Sequence, residues 1–165
     1  MEIRNVDIVG FNVGAVTVTL GASGTLLMSN CTLTNNGSNG ANAYVKVSTT
    51  SGFAIVTISN CTFQGNNGNG VVAGNNAFVG ITNSIFQSFA NGAQTTGNGS
   101  LTADSSFFFG NTNSLNAAAG TTINVINNTL QGTTAFGGAG SYVSAGNNKI
   151  VNSAQGANPT QMLIK

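Results

Sequence analysis

Large apolar residues recur at matched points along the whole chain. With Phe63 as anchor, the equivalent positions are Ile8, Leu33, Phe63, Phe86, Phe108, Leu130 and Ile150, separated by 25, 30, 23, 22, 22 and 20 residues. Two more apolar columns run ahead of the anchor. Five residues before it stand Ile3, Met28, Ile58, Ile81, Ala103, Val125 and Ala145, and seven before it Met1, Leu26, Val56, Val79, Leu101, Ile123 and Val143. Three before it the column is polar: Asn5, Asn30, Asn60, Asn83, Ser105, Asn127 and Asn147. On either side of that polar break apolar residues alternate, which is strand periodicity, and no stretch keeps the i, i+3, i+4, i+7 pattern of a helix. A unit of 20–30 residues that cannot bury its own apolar face must stack on its neighbours. The pattern predicts an all-β solenoid of about seven coils, forming a single domain over 1–165.

The motifs TISNCTFQGN and ITNSIFQ resemble those of the right-handed parallel β-helix family, which includes pectate-lyase-like proteins, tailspikes and autotransporter passengers. The resemblance covers the whole chain and implies a single-stranded right-handed parallel β-helix with an internal Asn ladder. The hand agrees with the general right-handedness of parallel crossovers. It implies no one activity, because the family holds lyases, hydrolases, adhesins and inert stalks.

Within that frame each column has a physical reading. A sharp corner between strands needs a residue that tolerates left-handed backbone geometry and satisfies nearby peptide groups, and asparagine does both. Asn5, Asn30, Asn60, Asn83, Asn127 and Asn147 are therefore expected to form a buried ladder, each amide bonding to the next coil. Sequons at Asn30, Asn60 and Asn127 would then be closed to glycosylation, leaving Asn36 and Asn98 reachable. Two before the anchor the column reads Val6, Cys31, Cys61, Ser84, Ser106, Asn128 and Asn148, small residues expected to face inward. Its two cysteines lie in adjacent coils, as buried thiols or, against awkward geometry, a disulfide. A Gly/Asn loop should bulge near Asn39, the fourth coil should dissolve into NGAQTTGNGS, and the single proline, Pro159, should lie in the last turn.

Composition narrows the function. Of the seven charged residues three are acidic and four basic, so there is no basic face for nucleic acid; polarity comes mainly from 26 Asn, 23 Gly and 20 Thr. No apolar run is long enough for membrane insertion as a helix. The opening EIRNVDIV already fits the repeat, so no signal peptide is expected. Glu2, Asp7 and Asp104 are the only carboxylate side chains. Asp7 and Asp104 fall four coils apart, about 19 Å at strand spacing, against roughly 5–10 Å for paired catalytic carboxylates. Neither catalytic nor metal-ligating residues are expected, nor any cofactor. None of the three outward columns nearest the anchor carries Thr on more than two consecutive coils, which argues against ice binding.

Two readings remain. One is a non-catalytic structural subunit of an extracellular or cell-surface filament, its partner a second copy of itself. Met1 stands where Leu26 and Val56 stand in later coils, so stacked copies would continue every column through Ile3, Val6, Ile8, Val143, Asn147, Ile150, Met162, Leu163 and Ile164. Glu2 and Arg4 would face Lys149 and Lys165 across the joint. The other is a segment of a β-helical adhesin or glycan-binding stalk. Phe107 and Phe109 flank the inward Phe108 and should point outward beside Ile85, either as a lateral contact or under a loop at 91–99.

Overall fold

The computed structural model describes residues 1–11, 14–35, 43–65, 67–145 and 147–161, and among them there is no helix. The first coil holds β1 (Glu2–Arg4), β2 (Asp7–Val9) and β3 (Val16–Leu20), and the second β4 (Gly24–Ser29), β5 (Thr32–Thr34) and β6 (Ala43–Thr49). The third holds β7 (Ala54–Ser59), β8 (Thr62–Gln64) and β9 (Asn69–Ala73), and the fourth β10 (Ala77–Thr82), β11 (Ile85–Gln87) and β12 (Asn91–Thr95). In the fifth, β13 (Ser100–Asp104) leads to the long β14 (Phe107–Ala117); in the sixth, β15 (Thr122–Ile126) leads to β16 (Thr129–Gly138). The seventh has β17 (Ser141–Ser144), β18 (Lys149–Ile150) and β19 (Ala154–Gly156), and β20 (Thr160–Gln161) follows Pro159.

Each coil contributes one strand to each of three faces, and every neighbour is parallel. The first face is an eight-stranded sheet in the order β1-β4-β7-β10-β13-β15-β17-β20. The second and third faces belong to one twelve-stranded sheet, because β14 and β16 run unbroken through the bend between them. A register shift between Phe109 and Asn111, with Gly110 at φ 65°, makes that bend in β14.

Alternation explains the core. On the first face Leu26 and Met28, Val56 and Ile58, Val79 and Ile81, Leu101 and Ala103, and Ile123 and Val125 all point inward and are buried. On the second face Leu33, Phe63, Phe86, Phe108 and Leu130 are fully buried. The rings of Phe63, Phe86 and Phe108 stack at 4.5 and 4.8 Å with planes 6° apart, matching the distance between adjacent strands. Room for these rings comes from the third face. A Cβ on Gly70 would run into the carbonyl of Gly92 and the ring of Phe86, and one on Gly92 into the carbonyl of Ser114 and the ring of Phe108.

Three expectations change. The residues at 91–95 do not dissolve into loop: β12 pairs with β9 and β14, aligned through Asn91 on Asn69 and Asn113. In the seventh coil Tyr142, not Val143, pairs with Ile123, and Ser144, not Ala145, with Val125. Tyr142 therefore fills the core and Val143 joins the outer row, while one extra residue before Asn147 restores the register at Ile150 with Leu130. The tyrosine is held there by its hydroxyl, which donates to the carbonyl of Leu115 or Gly137 and accepts from the Ala117 amide at 2.8 Å. The loop expected near Asn39, the Asn36 sequon and the segment from Met162 through Leu163 and Ile164 lie outside the described residues.

Candidate functional site

The corner between the first and second faces repeats closely. A first-face strand ends at Arg4, Ser29, Ser59, Thr82, Asp104 or Ile126, one residue turns the chain, one faces inward, and the second-face strand begins. The turning residues Asn5, Asn30, Asn60, Asn83, Ser105 and Asn127 all have φ between 48° and 53°. That is the left-handed region, which asparagine tolerates better than most residues. Asparagine side chains do bond from coil to coil: Asn30 Nδ2 donates to Asn5 Oδ1 at 3.2 Å, and Asn147 Nδ2 donates to Asn127 Oδ1. The expectation of burial fails, since all six turning residues are exposed. A left-handed residue carries its side chain out of the corner, so Asn30, Asn60 and Asn127 are not closed off as sequons.

The buried ladder is the neighbouring column. Cys61 N–H donates to Ser84 Oγ at 3.2 Å, Ser84 N–H to Ser106 Oγ at 3.1 Å, Ser106 N–H to Asn128 Oδ1 at 2.9 Å and Asn128 N–H to Asn148 Oδ1 at 2.8 Å. Each side chain then returns a bond to a first-face carbonyl, as Ser84 does to Thr82, Ser106 to Asp104 and Asn128 to Ala103. Cys31 and Cys61 are free and buried, donating to the carbonyls of Ser29 and Ser59 at 3.2 Å. Burial pushes the Cys61 thiol up from 9.0 to about 11, against the lowering effect of a hydrogen bond with the Cys31 backbone. A second ladder, which the sequence reading missed, opens the third face: Asn91 Nδ2 donates to Asn69 Oδ1 at 2.8 Å, and Asn113 Nδ2 to Asn91 Oδ1 at 2.9 Å.

Two of the three carboxylates serve local partners. Glu2 pairs with Arg4 on the same strand, so neither charge is held in reserve for a lysine elsewhere. Asp104 Oδ1 accepts from Ser105 Oγ at 2.9 Å and from Asn127 Nδ2 at 3.2 Å, which makes it a member of the corner ladder. Among the described residues no group of three or more His, Cys, Asp and Glu side chains could hold a metal ion.

What stands out on the surface is apolar. Phe107 and Phe109 point outward as expected, half-buried, their rings stacked at 4.9 Å, with the exposed Ile85 paired to Phe107. The segment at 91–99 does not cover them, because its first five residues are β12 on the third face. A second cluster lies on the outer side of the first face. Phe53, Ile55 and Phe78 are 55%, 55% and 46% exposed; Phe53 and Phe78 have ring centroids 5.5 Å apart with planes at 57°, and Ile55 pairs directly with Phe78. Beside it a shallow notch over Gly80 is lined by Thr57, Ser100 and Thr102, with no charged side chain. The signal was present eight residues before the anchor, where Thr25, Ile55, Phe78, Ser100 and Thr122 stand. Of the positions expected at an axial joint, Ile3 and Ile8 pack partly against the core, Val6 is exposed, and Ile150 is 36% exposed.

No curated protein and no solved structure matches the chain. One family model does, described as the right handed beta helix region, over residues 16–158. That span takes in the corners from Asn30 to Asn127, the stacked phenylalanines and both outer clusters, and with it the chain belongs to the right-handed β-helix family.

Proposed function

We propose that this chain is a non-catalytic β-helix segment of a cell-surface adhesin or stalk, and that it binds a neutral glycan across the outer side of its first face. The observation that carries the reading is the exposed Phe53–Phe78 pair next to the notch over Gly80. An aromatic ring offers a flat apolar platform with a negative face, suited to the C–H side of a sugar ring. The hydroxyls of Thr57, Ser100 and Thr102 beside it can pair with sugar hydroxyls without a charge to desolvate. The tilt of 57° between the rings fits one ring per sugar unit along a bent chain. A non-catalytic role draws support from the carboxylates, each spent on a neighbour or separated from the next.

A glycan array with the parent and a Phe53→Ser, Phe78→Ser double variant tests this directly. A specific neutral-glycan signal that the double variant loses, with folding intact, is the expected result. Absence of any signal from the parent overturns it.

The second reading, a self-associating structural subunit of an extracellular filament, draws support from Ile85, Phe107 and Phe109 on a different face and from a net charge of +1, which supplies little repulsion between copies. Its axial form is the weaker, since β20 already pairs with β17 along the first face, where the next copy's β1 would have to add. Sedimentation at rising concentration, with an Ile85→Ser, Phe107→Ser variant beside the parent, separates lateral association from none.

A further inference from the structure

We propose that Asn67 is a site of spontaneous deamidation, singled out by the fold from the other Asn-Gly pairs of the described structure. Four such pairs are described: Asn67-Gly68, Asn69-Gly70, Asn91-Gly92 and Asn98-Gly99. The reaction begins when the Gly amide nitrogen, having lost its proton to solvent base, attacks Cγ of the preceding Asn. A nitrogen–Cγ bond forms, the Cγ–Nδ2 bond breaks, and ammonia leaves with a proton from water. Water then opens the resulting succinimide at either carbonyl, giving aspartate or isoaspartate. The carboxamide must be free to turn, and the next amide N–H must not be held in a hydrogen bond.

Three of the pairs fail these conditions. Asn69 and Asn91 belong to strands β9 and β12 and are tied together by the third-face ladder; Asn91 also bonds to Gln94, Asn113 and Asn116. Asn98 donates to Asn76 Oδ1 at 2.6 Å and accepts the Asn76 N–H at 2.7 Å, while the Gly99 N–H donates to Thr96 O at 3.1 Å. Asn67 meets them. It is exposed, sits at φ 72°, and among the described residues its carboxamide makes no hydrogen bond. The chain around it is anchored on either side by the Asn67 N–H on Ser88 O and by Gly68 O, which accepts from Ala90 and Asn91. The peptide joining Asn67 to Gly68 has no partner for its own N–H or C=O among the described residues, so it can rotate towards the attacking geometry while the turn stays in place. The product matters because it adds a carboxylate to a chain with three acidic residues, and isoaspartate lengthens the backbone next to the Asn69–Asn91 ladder.

The test is a time course on the folded protein at mildly alkaline pH, mapped by mass spectrometry. No lysine or arginine lies between Lys46 and Lys149, so chymotryptic peptides with fragmentation that separates Asn67 from Asn69 are required. Each hydrogen bond that must open first slows the reaction roughly tenfold, so Asn67 is expected to convert well ahead of Asn69, Asn91 and Asn98. In denaturant the four should convert at similar rates. Asn67→Gln, whose longer side chain closes a six-membered ring far more slowly, should abolish the early acidic species. Earlier conversion at any of the other three, or a folded protein that keeps Asn67 intact while the denatured control converts, overturns the proposal.

Discussion

Two columns stand side by side at the corner between the first and second faces, and they use polar residues in opposite ways. The outer one, from Asn5 to Asn127, is exposed and left-handed in backbone, so what it supplies is conformation. The inner one, from Cys31 through Ser84 and Ser106 to Asn128, has ordinary backbone and buried side chains, so what it supplies is hydrogen bonds to peptide groups of the corner that water cannot reach. Asparagine appears in both. Its meaning depends on one residue of offset, and the inner column tolerates Cys, Ser and Asn alike because each can donate to a first-face carbonyl, two residues back for Cys61 and Ser84 and one coil away for Asn128.

The contrast can be broken most forcefully at Asn128. Replacing it with Leu leaves the Ser106 N–H buried without a partner and removes the bond to the Ala103 carbonyl, a loss of about 3 kcal/mol in chemical denaturation. A loss below that of an outer-column variant would invert the comparison. Asn83→Val should cost about 1–2 kcal/mol, because a β-branched residue is forced into left-handed geometry. Asn83→Gly should stay within about 0.5 kcal/mol of the parent. If glycine proved as damaging as valine, the outer amides would be acting through their bonds and not through the backbone.

The smallest effect is one of pH. The Cys61 thiol is raised from 9.0 to about 11, so the folded state holds its proton more tightly than the unfolded chain does. Its contribution is complete below pH 9 and disappears as pH climbs towards 11. Burial raises the Tyr142 hydroxyl as well, from 10.0, so the interval from pH 9 to 10 reports mainly on the thiol. The denaturation midpoint should fall across that interval in the parent and fall less in Cys61→Ser, which keeps a donor for the Ser59 carbonyl.

Much of this architecture is legible in the residues, because a parallel stack writes the same two-residue alternation into every coil. The anchor column and the apolar column five before it place the core from Ile3 and Ile8 through Val125 and Leu130. Counting back from the anchor misleads at Val143, where an extra residue near the corner slides Tyr142 into the core, and a pattern of apolar types alone cannot see a one-residue bulge. It misleads again over the buried asparagines, since the sequence marks the corner but not which side of it a left-handed residue faces. The third face is unevenly legible. Val16–Leu20, Ala43–Thr49 and the apolar end of Asn69–Ala73 carry strand formers, whereas Asn91 and Gly92 are turn formers by composition, and there the phenylalanine stack pressing against the glycine backbone favours strand. The exposed Phe53, Ile55 and Phe78 were there to be read, in a column that alternation assigns to solvent.

The parallel register has a mechanical side. Strands in every coil run across the long axis, so the backbone hydrogen bonds between coils run along it. A tensile load applied end to end therefore falls on one rung at a time, as on the teeth of a zipper. Each coil that lets go releases about 22 residues, some 75 Å when drawn out, from a rise of about 4.8 Å. The third to fifth coils, pinned by the rings of Phe63, Phe86 and Phe108, are expected to yield last, as the final steps of a single-molecule pulling trace. Under tension such a rod pays out length in discrete steps and absorbs work at each of them.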